Sequence, residues 1–97
     1  MLNKRYFKTV PQCEVTFRVA PEGANEVALL TAANNWEPIP MQKLKSGEFK
    51  VRVRLPLAQR IEFRYLVDDS RWINDEAADS YVPNEHGSVN SVVDTTP

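Results

Sequence analysis

Three stretches of this chain alternate apolar and polar residues one position at a time. Cys13, Val15, Phe17 and Val19 are separated by Glu14, Thr16 and Arg18. Phe49, Val51, Val53 and Leu55 alternate with Glu48, Lys50, Arg52 and Arg54. Ile61, Phe63, Tyr65 and Val67 share one parity, while Glu62, Arg64 and Asp68 share the other. Successive side chains of an extended strand point to opposite faces, so each stretch is expected to be a strand with one buried face. No window carries a sustained helical period, and Pro38 and Pro40 forbid a helix through the middle of the chain.

The remaining segments fit the same pattern. Glu26 to Ala32 is apolar on both parities, as a central strand covered on both sides would be. Met41 to Leu44 is a candidate short strand, and Val89 to Val93 a closing one. Residues 73 to 79 read as a polar loop or a single helical turn, and Tyr81 to Pro83 as a segment touching an edge. Turn signals stand between them at Pro21–Asn25, Asn34–Asn35, Lys45–Gly47, Pro56–Gln59, Asp68–Ser70 and Asn84–Ser88. The expected fold is all-β: an antiparallel β-sandwich over residues 13–97, preceded by an N-terminal arm or edge strand over residues 1–12.

A chain of 97 residues can bury one modest core. Twelve Lys plus Arg nearly balance thirteen Asp plus Glu, and no block of like charge occurs. That pattern argues against nucleic acid and against an anionic membrane as partners. Cys13 is the only cysteine, which rules out an intramolecular disulfide and fits a reducing compartment. At the start of a strand it reads as a small buried hydrophobe. One His and one Cys make a transition-metal cluster improbable on composition. The N-terminal residues show neither a signal peptide nor a membrane span, so the expected location is cytoplasmic.

Catalytic signatures are lacking. No pair of carboxylates is marked out for glycoside hydrolysis, and the acids fall on outward parities or in turns, where solvation explains them. His86 has the residue type of a general base, but no Gly-x-Ser-x-Gly accompanies it, and Cys13 faces inward. Gly23, Gly47 and Gly87 form no phosphate loop, and no cofactor is expected. The two indoles are more informative. Trp36 follows Asn34–Asn35 in a proline-rich loop, and Trp72 follows the Asp68–Ser70 turn. Each either covers an open end of the sandwich or stands as a flat apolar platform. An indole can cover the C–H face of a pyranose while neighbouring polar groups bond its hydroxyls. Arg64, Ser88 and Asn90 have suitable chemistry, and the shared parity of Ser88 and Asn90 points them the same way.

Four segments taken together resemble a known family: Val27 to Trp36, Ser46 to Val51, Phe63 to Trp72 and Gly87 to Val93. In order and spacing they are similar to carbohydrate-binding module family forty-eight, over roughly residues 13 to 94. This is the early-set domain at the N-terminus of isoamylase and of branching and debranching enzymes. It is also the glycogen-binding domain of the AMP-activated kinase β subunit. The resemblance implies an immunoglobulin-like β-sandwich that holds α-1,4-glucan, such as glycogen or maltooligosaccharide, on its surface. It implies that Trp36 and Trp72 stack on glucose, that Arg64 bonds hydroxyls, and that Ser88 and Asn90 form the closing polar pair. It departs from the family where Asp69 and Ser70 replace a turn glycine, where His86 replaces an apolar wedge, and where Asp75–Glu76 replaces Asp-Pro.

Two readings follow. The first is a non-catalytic α-glucan-binding module. The second is a module that docks to an enzyme of glycogen metabolism or to itself. An enzyme is not expected, because the catalytic barrel that accompanies this domain in glycoside hydrolases needs about 250 residues.

Overall fold

All of the alternating stretches are strands, and every pairing between them is antiparallel. A computed structural model describes residues 2–97 and divides them into ten strands. These are β1 (Leu2–Tyr6), β2 (Gln12–Val19), β3 (Val27–Thr31), β4 (Ile39–Pro40), β5 (Gln42–Lys43), β6 (Phe49–Pro56), β7 (Arg60–Val67), β8 (Arg71–Ile73), β9 (Ser80–Pro83) and β10 (Val89–Asp94). A single 3-10 turn, Ala32–Asn34, follows β3. One sheet has the order β1-β2-β6-β5, and the other has β4-β3-β7-β10-β9 with β8 also on β7. The two sheets face each other as a β-sandwich. Among the described residues, no helix is long and apolar enough to cross a membrane.

Of the two forms expected for the first residues, the edge strand is the one present. β1 pairs with β2 along its length, Leu2 opposite Phe17 and Tyr6 opposite Cys13. β3 lies inside its sheet, between β4 and β7. Val27, Leu29 and Thr31 are buried on its core face and Leu30 on its outer face, as apolar residues on both parities require. The stretch expected at Met41 to Leu44 contributes only the two residues of β5, and Tyr81 to Pro83 belong to the outermost strand β9.

The core is where the inward parities meet. Val15 and Phe17 of β2, Phe49 and Leu55 of β6, Leu29 of β3, and Ile61, Phe63 and Tyr65 of β7 are all buried in one cluster. Phe63 sits edge-on between Phe17 and Tyr65, at centroid distances of 5.0 and 5.7 Å. Each side chain of this size stabilises the fold by roughly 1.5–3 kcal/mol when buried. Cys13 is fully buried among them, as its parity predicts.

The loop at residues 74 to 79 corrects one expectation. Asp75 is not a solvated charge: it is only 2% exposed. Its carboxylate accepts the Tyr65 hydroxyl at 2.7 Å and the Ala77 N–H at 2.8 Å. Its own N–H donates to Ser91 Oγ at 2.9 Å, and the Tyr81 hydroxyl donates to its carbonyl. The physical cause is Tyr65. Its ring completes the core, so its hydroxyl is buried and requires an acceptor. Burial first, and the charge of Asp75 second, push the Tyr65 phenol far above its ordinary range, which keeps it a donor.

One splice in the second sheet positions the outer-face residues. β7 pairs with β10 at residues 60 to 63, then with β8 at residues 65 to 67. β10 and β8 therefore share one side of β7 in succession. Asn74 bridges the join. Its Oδ1 accepts from the Ser91 N–H at 3.1 Å and from Ser91 Oγ at 2.9 Å, while Nδ2 donates to the Val89 carbonyl at 2.9 Å. This fixes β8, and hence Trp72, against the start of β10.

Candidate functional site

If Leu29, Phe63, Tyr65 and Ser91 point between the sheets, their strand neighbours must point away. Leu30, Glu62, Arg64 and Asn90 are those neighbours. Trp72 stands opposite Leu66 in the ladder and joins the same outer face. Side chains from four strands thus converge on one surface of the six-stranded sheet. They line an open cleft of about 650 Å³, which Trp36 and the Asn84–His86 turn complete. Leu30 is 7% exposed and forms its apolar floor.

The two indoles are half-exposed and border this one cleft, with 37% of Trp36 and 46% of Trp72 open to solvent. Arg64 lies with them. Its guanidinium carbon is 5.5 Å from the centroid of the Trp72 ring, within reach of a cation–π contact. Its Nε–H is buried and, among the described residues, has no hydrogen-bond partner. A buried donor left without an acceptor costs about 1–3 kcal/mol, and because solvent does not reach this one, it is the outer guanidinium N–H groups that a ligand would meet.

Trp36 is presented by a short, tightly closed segment. Thr31 Oγ1 accepts from the Ala33 N–H at 3.2 Å and caps the 3-10 turn. The Asn35 N–H then bonds the Ala32 carbonyl and the Trp36 N–H bonds the Thr31 carbonyl at 2.9 Å. Asn34 Nδ2 closes the far side on the Glu37 carbonyl at 3.1 Å. Asn35 and Trp36 both take left-handed backbone, with φ of 60° and 62°. Asn tolerates that region, but a bulky aromatic rarely enters it. Such strain persists only where the surroundings over-determine it.

On the other flank, three polar side chains are linked. Asn90 Nδ2 donates to Glu62 Oε1 at 2.9 Å, and Asn84 Nδ2 donates to Asn90 Oδ1 at 3.2 Å. Asn84 Oδ1 also accepts from the His86 and Ser88 N–H groups, at 2.9 and 3.2 Å, which shapes the turn. Asn90 is 8% exposed and has one amide N–H and one lone pair to spare. Glu62 keeps its second carboxylate oxygen for another donor.

Of the residues singled out in the sequence, Trp36, Arg64, Trp72, His86 and Asn90 all line the cleft. His86 does so as an open rim: its side chain is 83% exposed, with Nε2 3.9 Å from Glu85 Oε1. Ser88 is the exception. It is exposed in the turn and is not among the cleft residues. β10 begins at Val89, so the alternation that would align Ser88 with Asn90 does not extend back to it. Glu62, Leu30, Asn84 and Glu85 were not anticipated. Glu62 had a signal, since it shares the outward parity of Arg64. Leu30 had only the apolar residues on both parities of its strand, and its place opposite Arg64 comes from the register of β3 on β7. Nothing local marks Asn84.

No protein-family model and no curated protein matches the chain. What the cleft can hold follows from its own chemistry. Among the described residues, no three His, Cys, Asp or Glu gather as a metal site would require. The cleft offers two aromatic plates, a cation with spare donors, a carboxylate and a carboxamide. A ligand that suits it has flat apolar faces and an edge that both donates and accepts hydrogen bonds.

Proposed function

We propose that the cleft binds α-1,4-glucan, as in glycogen or a maltooligosaccharide, without cleaving it, and that the domain is an immunoglobulin-like early-set module. The observation that carries this reading is the pair of open indoles on one cleft with the Arg64 guanidinium beside them. A glucose ring presents apolar C–H faces to Trp36 and Trp72. Its hydroxyls accept from Arg64 and donate to Glu62, and the remaining Asn90 groups serve either role. The flat, solvent-open shape suits a stretch of polymer rather than an enclosed small molecule.

The magnitudes set the expected strength. Each indole removes about 50–100 Å² of sugar surface from water, worth roughly 1–2.5 kcal/mol. After association costs, a single cleft binds in the range of about millimolar to tens of micromolar. Retention on glycogen then relies on many chain ends and several modules.

A backbone-amide NMR titration with maltoheptaose tests the proposal. Saturable shifts are expected around Trp36, Arg64, Trp72 and Asn90. Absence of shifts at saturating sugar overturns it. Release of chromophore from a chromogenic maltooligosaccharide by the pure protein would overturn the non-catalytic part.

A further inference from the structure

The face of the sandwich opposite the cleft has a different chemistry. On the four-stranded sheet, the outward parity of β6 is Lys50, Arg52 and Arg54. In register across the strands, Arg54 stands beside Glu14 and Glu14 beside Arg5, while Lys50 stands beside Arg18. Residues two apart on a strand are about 6.8 Å apart, and neighbouring strands about 4.8 Å. Among the described residues, five cations therefore share this sheet face with two carboxylates, Glu14 and the Glu48 that pairs with Arg18 at 3.3 Å, in a chain whose net charge is −1. Alternation concealed this concentration, because the cations of β2 and β6 are separated along the chain by inward-facing residues.

Two of these cations are stacked on one ring. Phe7 follows β1, and the guanidinium carbons of Arg54 and Arg5 lie 4.5 and 5.3 Å from its ring centroid. A guanidinium stacked on a ring keeps its N–H edge for a carboxylate and loses less side-chain freedom when it binds. Among the described residues, Arg52 is exposed and makes no ion pair or side-chain hydrogen bond.

We propose that this face docks an acidic surface of another protein. Charge complementarity names the sign, and three further observations name the class. Four of the five cations are Arg, the type enriched in protein interfaces, where Lys is depleted. Glu14 sits in the row between Arg5 and Arg54, where it opposes a phosphate backbone but suits a partner of mixed charge. The overall negative charge supplies no long-range attraction for a polyanion, so recognition acts at contact distance. The face lies on the sheet opposite the cleft, and both can be occupied at once. The inference does not rest on the sugar reading.

The test is an amide titration of the full chain with a synthetic peptide in which glutamates outnumber interspersed lysines, at about 0.02 M salt and again at about 0.5 M, where screening collapses contact between exposed charges. Saturable shifts are expected on β2 and β6 at low salt and their loss at high salt. The double variant Arg52→Glu/Arg54→Glu is expected to weaken binding at least about tenfold. Arg52→Gln/Arg54→Gln gives an intermediate loss. Both sites are exposed, and retained dispersion of the amide spectrum reports an intact fold. Four results would overturn the proposal. They are no shifts on this face, tighter binding of a ten-nucleotide thymidine strand than of the peptide, stronger retention on anionic vesicles, and self-association of the free chain through these residues.

Discussion

The guanidinium of Arg64 lies over the indole of Trp72, with its central carbon 5.5 Å from the ring centroid. The two residues come from adjacent strands. Arg64 is on β7, and Trp72 is opposite Leu66 two positions further along it. Diagonal neighbours on one sheet face are within reach of long and aromatic side chains. The cation and the plate therefore act as one unit, each holding the other in orientation.

Removal of either partner is expected to loosen the other. Arg64→Ala should weaken maltoheptaose binding about tenfold or more, through lost donors and a freer indole. Arg64→Lys should recover only part of this, since an ammonium lacks the planar stack. In a double-mutant cycle with Trp72→Ala, the two changes should couple by about 0.5–1 kcal/mol in thermal unfolding. Strict additivity would show that the stack does not exist in solution.

Trp36 carries its left-handed backbone at φ 62° without the relief that glycine enjoys. Trp36→Ala and Trp36→Gly remove the same plate and should abolish sugar binding alike. They should differ in stability, with the Gly variant the more stable by about 1 kcal/mol, because Gly accepts this conformation and Ala does not. Denaturant midpoints with equal slopes measure the difference. The reverse order would mean that residue 36 is not left-handed.

Glu62 holds the Nδ2 of Asn90 at 2.9 Å. Glu62→Ala leaves that nearly buried amide with one acceptor fewer, so stability should fall by about 1 kcal/mol. Affinity for maltoheptaose should fall with it, whereas Glu62→Gln, which keeps an acceptor oxygen, should retain most of both. Calorimetric titration of the two variants separates loss of the acceptor from loss of charge.

The Tyr65 hydroxyl donates to Asp75 inside the protein at 2.7 Å. Tyr65→Phe preserves the packing and removes that donor from a buried carboxylate. The expected cost is about 1.5–3 kcal/mol, the range for a hydrogen bond to a charged group. Sugar affinity should be unchanged, because both residues lie on the far side of the sheet from the cleft. A shift in unfolding midpoint below that of an exposed Tyr→Phe control would contradict the buried pairing.

Asp68 Oδ1 accepts from the Asn25 and Glu26 N–H groups at 2.9 and 2.8 Å. Those bonds, Glu26 first, hold its carboxyl below its ordinary value of 3.8. A carboxylate whose pKa is lower when folded stabilises the protein above that ordinary value. The contribution is lost as pH falls through the lower, folded value. Asp68→Asn should remove this part of the acid sensitivity and flatten the stability profile below about pH 4. An unchanged acid limb would show that the turn bonds are not formed.

Much of the fold was legible in local pattern. Alternation at Cys13–Val19, Phe49–Leu55 and Ile61–Val67 names the strands and their buried sides, because the strand period concerns only adjacent residues. The same rule put Arg64 outside, and turn chemistry left Trp36 and Trp72 off the core. Asp75 escaped this logic. Nothing next to it shows that a tyrosine hydroxyl ten positions earlier will be sealed in beside it. Ser88 escaped it too, since parity carries meaning only where a ladder runs, and β10 starts one residue later. Glu62, Leu30 and Asn90 become neighbours only because β7 lies between β3 and β10, and Trp72 reaches them only because β8 continues the edge that β10 leaves. Inward or outward is a property of one strand and travels with its residues. Nearness across a face depends on strand order and register, which are set by the packing of the whole chain.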